Sequence, residues 1–204
     1  MDTRIGFGWD SHAFKPGVPL RIGGITLQHP EGLAGHSDGD VLLHAITDAL
    51  LGSVAAGDIG SFFPPGDPRW KDADSAIFLN LAMEELQHAG YQIVNIDTTL
   101  ILAAPKIGPV AGEMRARVAD LLSIDIDQVS IKAKTPEGLG LDHVAQCQVV
   151  VLVERVEDAD EMKRASASME SEFPMEDVVD DLLTSVHGTQ KKRAVPVYDT
   201  EDIT

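Results

Sequence analysis

The chain has 204 residues, of which 44% are hydrophobic, and its formal net charge at pH 7 is −17. This composition predicts one domain with a hydrophobic core, and the acidity excludes a nucleic-acid-binding surface, which would need clustered Lys and Arg. No apolar stretch approaches the ~20 residues of a membrane-spanning helix, the N-terminus has no secretory signal pattern, and the single cysteine, Cys147, can form no internal disulfide, so we expect a cytoplasmic protein without membrane partners.

Strand and helix patterns alternate along residues 1–156, which predicts an α+β or α/β domain. In chain order we predict strands at 5–9 and 20–27, a helix at 40–54, an irregular loop at 57–68, a helix at 75–89, a strand at 93–102, a helix at 110–122, and strands at 129–134 and 144–153. Either Ser37 or Asp38 is available to cap the first helix.

Residues 157–204 form a second, strongly acidic segment, with 13 Asp and Glu against 5 Lys and Arg. This composition predicts a partly disordered extension outside the domain of residues 1–156. Within it, residues 174–187 have the pattern of one amphipathic helix that ends before Gly188. Two alternatives stay open for this helix: weak helicity in solution, or docking on another surface.

Asp10, His12 and His44 are candidate metal ligands. Side chains two positions apart on a strand point to the same face, so Asp10 and His12 can act together. Two nitrogens and one carboxylate oxygen suit Zn²⁺ or a similar divalent ion and leave one coordination position open. The alternative is that these histidines are hydrogen-bonded or lie at the surface without a metal.

Several residues at predicted element ends are suited to phosphate chemistry. His36 precedes a helix N-terminus, where the helix dipole favours an anion, although a simple turn histidine is an equal alternative. Lys106, Lys134, Thr135 and Glu137 follow or end strands, where a Lys can hold phosphate, a Thr hydroxyl can donate, and a Glu can bind a hard cation. Together with a zinc site, these residues favour a function in phosphate chemistry.

Four sequence strings resemble one enzyme family: GFGWDSHAF, GLAGHSDGDVLLHAITDALLG, GDIGSFFPPGDP and VSIKAKTPEGLG, in this order. The chain is similar over residues 3–153 to the 2-C-methyl-D-erythritol 2,4-cyclodiphosphate synthases of the non-mevalonate isoprenoid pathway. The resemblance implies an α+β domain whose mixed sheet is packed by helices on one side. It also implies a homotrimer around a central channel, with active sites shared between adjacent subunits.

The implied activity is that of a metal-dependent, cyclising phosphorus–oxygen lyase. In this reaction, 4-diphosphocytidyl-2-C-methyl-D-erythritol 2-phosphate becomes 2-C-methyl-D-erythritol 2,4-cyclodiphosphate and CMP. The 2-phosphate attacks the β-phosphorus, and CMP leaves. Because the nucleophile is already an anion, the enzyme needs positioning and charge screening more than a strong base.

The resemblance also implies roles for individual residues. Zn²⁺ is expected at Asp10, His12 and His44, and Mg²⁺ or Mn²⁺ at Glu137 together with the substrate phosphates. His36 and Thr135 match positions that stabilise the transition state. The expected substrate contacts are Ser37, Asp58, Gly60, Phe63, Pro64 and Asp67 on the methylerythritol and phosphate side, and Ala104, Pro105, Lys106 and Lys134 on the cytidine diphosphate side.

The chain departs from the family pattern at three places. Pro65 replaces a usual acidic residue, Lys134-Thr-Pro-Glu137 replaces a Thr-Thr-Thr-Glu run, and residues 141–146 lack the Arg and Glu associated with the central channel. Metal binding and reaction class survive these changes. The last departure removes the expectation that the channel binds an isoprenoid diphosphate.

Two other function classes remain as alternatives. A metal-dependent phosphohydrolase would use metal-bound water as its nucleophile and release inorganic phosphate. A non-catalytic, oligomeric metal-binding protein would bind the ion without turnover, but Thr135 and Glu137, which lie away from the triad in the sequence, argue against it.

Overall fold

The computed structural model describes residues 2–64 and 66–156. The predicted acidic extension, its helix at 174–187, and Pro65 lie outside the described residues. In chain order the elements are β1 Thr3–Pro16, β2 Leu20–Ile22, β3 Ile25–Leu27, β4 Glu31–Leu33, α1 Val41–Ser53, α2 Ile59–Phe62, α3 Ala76–His88, β5 Tyr91–Ile101, α4 Ala111–Leu122, β6 Val129–Lys134 and β7 Val144–Arg155, with 3₁₀ turns at Pro68–Trp70 and Ile126–Gln128.

Three of the predicted segments differ from the structure. The predicted strand at 5–9 is part of the longer β1, Thr3–Pro16, and β4 had no predicted counterpart. The predicted strand at 20–27 is a hairpin of β2 and β3, because Gly23 and Gly24 both adopt a positive φ and reverse the chain. The predicted loop at 57–68 contains α2 and enters a 3₁₀ turn, because Asp58 and Asp67 accept hydrogen bonds from the first amides of these short elements.

One mixed five-stranded sheet has the strand order β4-β1-β7-β5-β6. Only β5 and β6 are paired in parallel, and the other three neighbouring pairs are antiparallel. α1 packs on β1 and β7, α4 contacts β6, and α3 contacts α1, α4 and β5. The prediction of an α+β domain with a mixed sheet and helices is confirmed.

The position of α1 on β1 depends on two glycines. Gly6 and Gly8 face α1, and a Cβ atom would lie 1.8 Å from the Ala49 carbonyl oxygen at Gly6 and 1.9 Å from the Ala45 carbonyl oxygen at Gly8. Any larger residue would push the helix away from the strand. Glycine at these positions therefore sets the distance between α1 and β1, and with it the distance between the side chains that the two elements carry toward each other.

Asp40 fixes the start of α1. Its fully buried carboxylate accepts from the Leu42 and Leu43 amides of α1 and from the Gly23 and Gly24 amides of the β2–β3 turn, at 2.7–3.1 Å. The cap is therefore Asp40 and not the predicted Ser37 or Asp38. One side chain joins the hairpin to the helix and satisfies four amides that would otherwise be buried without a partner.

The hydrophobic core lies between the sheet and the helices, and most residues of α1 belong to this core. Cys147 is fully buried in this core, and burial raises the pKa of its thiol. The opposite face of the sheet exposes apolar side chains instead, as described below. Among the residues that the structure describes, no helix combines the length and apolar character needed to cross a membrane.

We predict that Gly8→Ala lowers the free energy of unfolding by about 3 kcal/mol, because the new methyl group overlaps a backbone oxygen of α1. Gly52→Ala is the matched control. Gly52 is exposed in the last turn of α1, and a Cβ there meets nothing closer than 3.9 Å, so this change should raise the free energy of unfolding by about 0.5–1 kcal/mol. Urea denaturation at one fixed protein concentration measures both, and equal midpoints for Gly8→Ala and the unsubstituted protein would contradict the packing argument.

Candidate metal centre and active site

Asp10, His12 and His44 converge on one point. Even-numbered residues of β1 face α1, so Asp10 and His12 project from the strand toward the helix that carries His44. Asp10 Oδ2 lies 2.9 Å from His12 Nε2 and 3.0 Å from His44 Nδ1, and the two nitrogens are 3.1 Å apart. These three ligand atoms form a group that could hold a metal ion.

The spacing of the three atoms fits a divalent ion. Zn²⁺ bonds to nitrogen and oxygen at tetrahedral angles separate two ligand atoms by about 3.3–3.5 Å, close to the 2.9–3.1 Å observed here. His44 is buried, and Asp10 and His12 are partly buried. Three ligands from two rigid elements, with a fourth direction free, are typical of a metal that takes part in chemistry.

Electrostatics holds the triad together in the absence of an ion. Burial alone would raise the pKa of Asp10, but hydrogen bonds from His12 and His44 outweigh it and hold this pKa well below its usual range. Burial acts against a charged His12, yet the hydrogen bond with Asp10 raises the His12 pKa above its ordinary value. A divalent cation would take the place of this positive charge beside Asp10.

Around His44, the structure adds residues that the sequence did not single out. Ser37 Oγ, an expected substrate contact, lies 3.1 Å from His44 Nε2, and Ser75 Oγ lies 2.9 Å from the same nitrogen. Asp48, one turn after His44 on α1, accepts from the Ile59 amide at 2.8 Å. The i,i+4 spacing of His44 and Asp48 was a signal in the sequence that Asp48 belongs to this region.

The Asp48 contact attaches α2 to the metal centre. Asp58 caps α2 and accepts from the Ser61 side chain and amide, and these two hydrogen bonds lower the Asp58 pKa. Gly60 lies within α2. Two of the expected substrate contacts, Asp58 and Gly60, are therefore carried on a short element that is held to the helix of His44.

The next expected contacts lie in a loop built around aromatic rings. The Phe63 ring is 4.4 Å from the Phe78 ring and 4.8 Å from the Trp70 ring, and Phe78 is 5.9 Å from the His44 ring. The Asp67 carboxylate is bound by the Arg69 guanidinium at 2.6 Å, so it is already paired, while Pro64 is exposed. Phe78 thus connects the Phe63 and Trp70 rings to the candidate metal ligand His44.

His36 occupies an exposed bend near α1. Its carbonyl accepts from the Asp72 amide at 2.8 Å, and the Asp38 amide donates to the Ala73 carbonyl at 3.0 Å. The His36–Asp38 backbone is therefore paired with the segment that precedes α3. The His36 backbone directly precedes Ser37, whose hydroxyl lies 3.1 Å from His44 Nε2.

A second group of expected site residues lies at the ends of the parallel pair β5 and β6. Thr135 donates a hydrogen bond to Glu137, and both residues are exposed just beyond β6. The Leu102 amide donates to the Lys134 carbonyl at 3.1 Å, so the residues after β5, which include Ala104, Pro105 and Lys106, leave the sheet beside Lys134. The segment of Ala104, Pro105 and Lys106 therefore begins two residues after a backbone contact with Lys134.

The two groups share one sheet edge but lie apart along it. β1, β5 and β6 run in the same direction, and Asp10 pairs with Cys147, Cys147 with Leu100, and Leu100 with Ala133. One residue further along each strand, Ser11 and Lys134 fall in one row, and Thr135 follows Lys134. Three strand spacings separate Ser11 from Lys134, which is about 14 Å. Within one chain, the metal centre and the Thr135–Glu137 group are therefore separate.

Comparison with known proteins identifies the family. A model of the YgbB family matches residues 3–154. The chain belongs to this family. A relative from Koribacter versatilis, named 2-C-methyl-D-erythritol 2,4-cyclodiphosphate synthase, is 61% identical over 152 residues, which cover 74% of this chain and 98% of the relative. The match to the family includes every predicted site residue.

Two solved structures have the same fold. One is a 2C-methyl-D-erythritol-2,4-cyclodiphosphate synthase in a form bound to CDP, with 38% identity, a TM-score of 0.70, and coverage of 74% of this chain and 100% of the other. The second is the bifunctional IspDF from Campylobacter jejuni, with 32% identity and a TM-score of 0.73. The alignment covers 76% of this chain but only 43% of that longer protein.

We predict that His44→Ala abolishes stoichiometric Zn²⁺ binding, because it leaves only the carboxylate and one imidazole of the triad. His88→Ala is the control, since His88 is an exposed histidine at the end of α3 that is absent from the triad. Metal analysis after dialysis against excess Zn²⁺ gives the comparison. Full zinc occupancy in His44→Ala would refute the assignment of this centre.

Proposed function

We propose that the protein converts 4-diphosphocytidyl-2-C-methyl-D-erythritol 2-phosphate to 2-C-methyl-D-erythritol 2,4-cyclodiphosphate and CMP, as a metal-dependent phosphorus–oxygen lyase. The observation that carries this proposal is the convergence of Asp10, His12 and His44 in a chain of this family. The name of the 61% identical relative and the CDP bound in a related structure support it. We place this activity in the cytoplasm, in agreement with the free, buried thiol of Cys147.

The ligand chemistry supports two different metal ions. Asp10, His12 and His44 offer the mixed nitrogen and oxygen set that suits Zn²⁺. Glu137 offers an exposed carboxylate, the ligand that Mg²⁺ or Mn²⁺ prefers when it also binds phosphates. Bound there, these cations would screen the negative charge of the crowded phosphates.

The protein groups supply positioning and hydrogen bonds rather than covalent chemistry. The bond from a 2-phosphate oxygen to the β-phosphorus forms as the β-phosphorus bond to the CMP oxygen breaks, and CMP leaves with that electron pair. No proton has to move first, because the attacking phosphate is an anion. His36 and Thr135 would donate hydrogen bonds to oxygens that gain charge in the transition state.

The remaining expected contacts divide between the two ends of the substrate. Ser37, Asp58 and Gly60 lie near the metal centre, where they would hold the methylerythritol and its phosphate. Phe63, Pro64 and Asp67 extend the same region, although Asp67 would have to share its carboxylate with Arg69. Lys134 ends β6, and Ala104, Pro105 and Lys106 follow β5, the strand paired with β6. There the two lysines would meet the cytidine diphosphate.

We further propose that the protein is a homotrimer formed through the open face of the sheet. Ile5, Phe7 and Trp9 on β1 are 70%, 61% and 50% exposed, and Val150, the β7 neighbour of Phe7, is 44% exposed. Large apolar side chains on three successive outward positions of a strand mark a surface that is covered in the assembled protein. A second copy of the chain is the occupant that the family resemblance supports.

The separation of the two residue groups supports active sites between subunits. Thr135 and Glu137 follow the end of β6, a strand that lies three strand spacings, about 14 Å, from the strand that carries Asp10 and His12. Groups that act on the same reacting phosphates have to approach to within hydrogen-bond distance of them. A neighbouring subunit that adds its Thr135 and Glu137 to this metal centre would meet that requirement.

The proposed reaction is tested by its products. Incubation of the zinc-loaded protein with the diphosphocytidyl substrate and Mg²⁺ should yield CMP and the cyclic diphosphate in equal amounts, identified by mass spectrometry. Removal of divalent metals with a chelator should stop the reaction, and added metal should restore it. Inorganic phosphate as a product would indicate a phosphohydrolase, and turnover without metal would contradict the metal-dependent mechanism.

We predict that two inactive variants complement each other. His44→Ala removes a ligand of the metal centre and Glu137→Gln removes the charge that holds the second cation, so each alone should lose activity by orders of magnitude. When both are co-expressed in equal amounts, random trimers should regain about one quarter of the sites, each with both halves intact, if each site is shared between neighbours. A mixture no more active than the variants separately would show that each chain forms its own site.

A further inference from the structure

The second nitrogen of His44 needs a hydrogen-bond partner. His44 Nδ1 faces Asp10 Oδ2 at 3.0 Å and His12 Nε2 at 3.1 Å, so Nδ1 is the atom that would bind the metal. A neutral imidazole that binds a metal through one nitrogen carries its proton on the other. His44 Nε2 therefore has to donate a hydrogen bond. Two serine oxygens lie within reach, Ser75 Oγ at 2.9 Å and Ser37 Oγ at 3.1 Å.

Ser75 lies at the start of α3, but its side chain does not cap this helix. It is the N-cap residue of α3, where a serine hydroxyl ordinarily accepts from an amide of the first turn, yet it makes no such bond. The residue is fully buried. Its Oγ lies 2.5 Å from Asp38 Oδ1 and 2.9 Å from His44 Nε2. The hydroxyl thus contacts the metal ligand and a carboxylate instead of capping α3.

The direction of each hydrogen bond follows from the chemistry of the groups. An ionised Asp38 carboxylate can only accept, so the single Ser75 hydroxyl proton is donated to Asp38 Oδ1. Ser75 Oγ is then left to accept from His44 Nε2. Asp38 is held in turn by the Ser75 amide at 3.3 Å, the Asp40 amide at 3.3 Å and the Arg21 guanidinium at 3.4 Å.

We propose that Ser75 and Asp38 are positioning residues of the metal centre. Through Ser75, the Asp38 carboxylate fixes the His44 proton on Nε2 and turns the lone pair of Nδ1 toward Asp10 and His12. A second consequence concerns Ser37: because Ser75 accepts the His44 proton, the Ser37 hydroxyl is free to donate to a substrate phosphate. This inference rests on the metal centre proposed above, and it adds two residues that act on this centre through His44 Nε2.

The test compares two buried serines. Ser75→Ala in the full chain should lower the affinity for Zn²⁺ and Co²⁺ by about 10- to 100-fold, because loss of such an outer hydrogen bond releases the ligand ring. Ser53→Ala is the matched control: Ser53 is also buried, but its hydroxyl donates to the Leu50 carbonyl within α1. Chelator competition and the Co²⁺ absorption spectrum measure affinity and ligand geometry. Ser53→Ala should match the unsubstituted protein in both.

Three further measurements keep the proposal testable if Ser75→Ala does not fold. Asp38→Asn retains the shape of the side chain but weakens the acceptor for the Ser75 hydroxyl, so it should lower metal affinity by less than Ser75→Ala. Nitrogen-15 NMR of the zinc-loaded protein should show a His44 Nε2 proton that exchanges slowly with solvent, and faster exchange of that proton in Asp38→Asn. Ser75→Thr, which restores a hydroxyl, should recover part of the affinity.

The outcomes separate this inference from the proposed metal centre. No metal binding by the unsubstituted protein would overturn both. Tight binding by the unsubstituted protein, with equal affinity and unchanged exchange of the His44 Nε2 proton in Ser75→Ala or Asp38→Asn, would overturn the role of Ser75 and Asp38 and leave the centre in place. An equal loss of affinity in Ser53→Ala would show that any buried serine has this effect, which also contradicts the proposal.

Discussion

The close contact between α1 and β1 is the constraint on which the candidate site depends. Two of the three metal-binding atoms belong to the strand and one to the helix, and all lie within 3.1 Å of each other. That convergence requires the helix backbone to approach the strand backbone, and only a residue without a Cβ atom permits this at Gly6 and Gly8. The glycines that precede the Asp-x-His pair in the sequence are therefore part of the architecture of the site.

The acidity of the chain makes the local arrangement of charge important for the proposed reaction. A net charge of −17 repels a substrate with several phosphates. Lys106, after β5, and Lys134, at the end of β6, are cationic groups that can offset this repulsion. The triad of Asp10, His12 and His44 can add a bound divalent cation. In the proposed mechanism, bound divalent ions supply further positive charge next to the substrate phosphates.

Local patterns in the sequence predicted the elements and the triad well. Asp10 and His12 are two residues apart on a strand, and His44 lies on a strongly apolar helix, so periodicity placed them correctly. The prediction was wrong at residues 57–68, where caps by Asp58 and Asp67 stabilise elements too short to leave an apolar period. The contact of Ser75 with His44 spans 31 residues, and no local pattern encodes it.

The four hydrogen bonds of the Asp40 carboxylate have a consequence for how the domain loosens. Because one side chain holds both the β2–β3 turn and the first turn of α1, the hairpin cannot detach while that helical turn stays capped. His44 lies one turn further along the same helix. We therefore expect the hairpin and the first turn of α1 to open together, and a metal ion bound at His44 to slow hydrogen exchange in the hairpin as well.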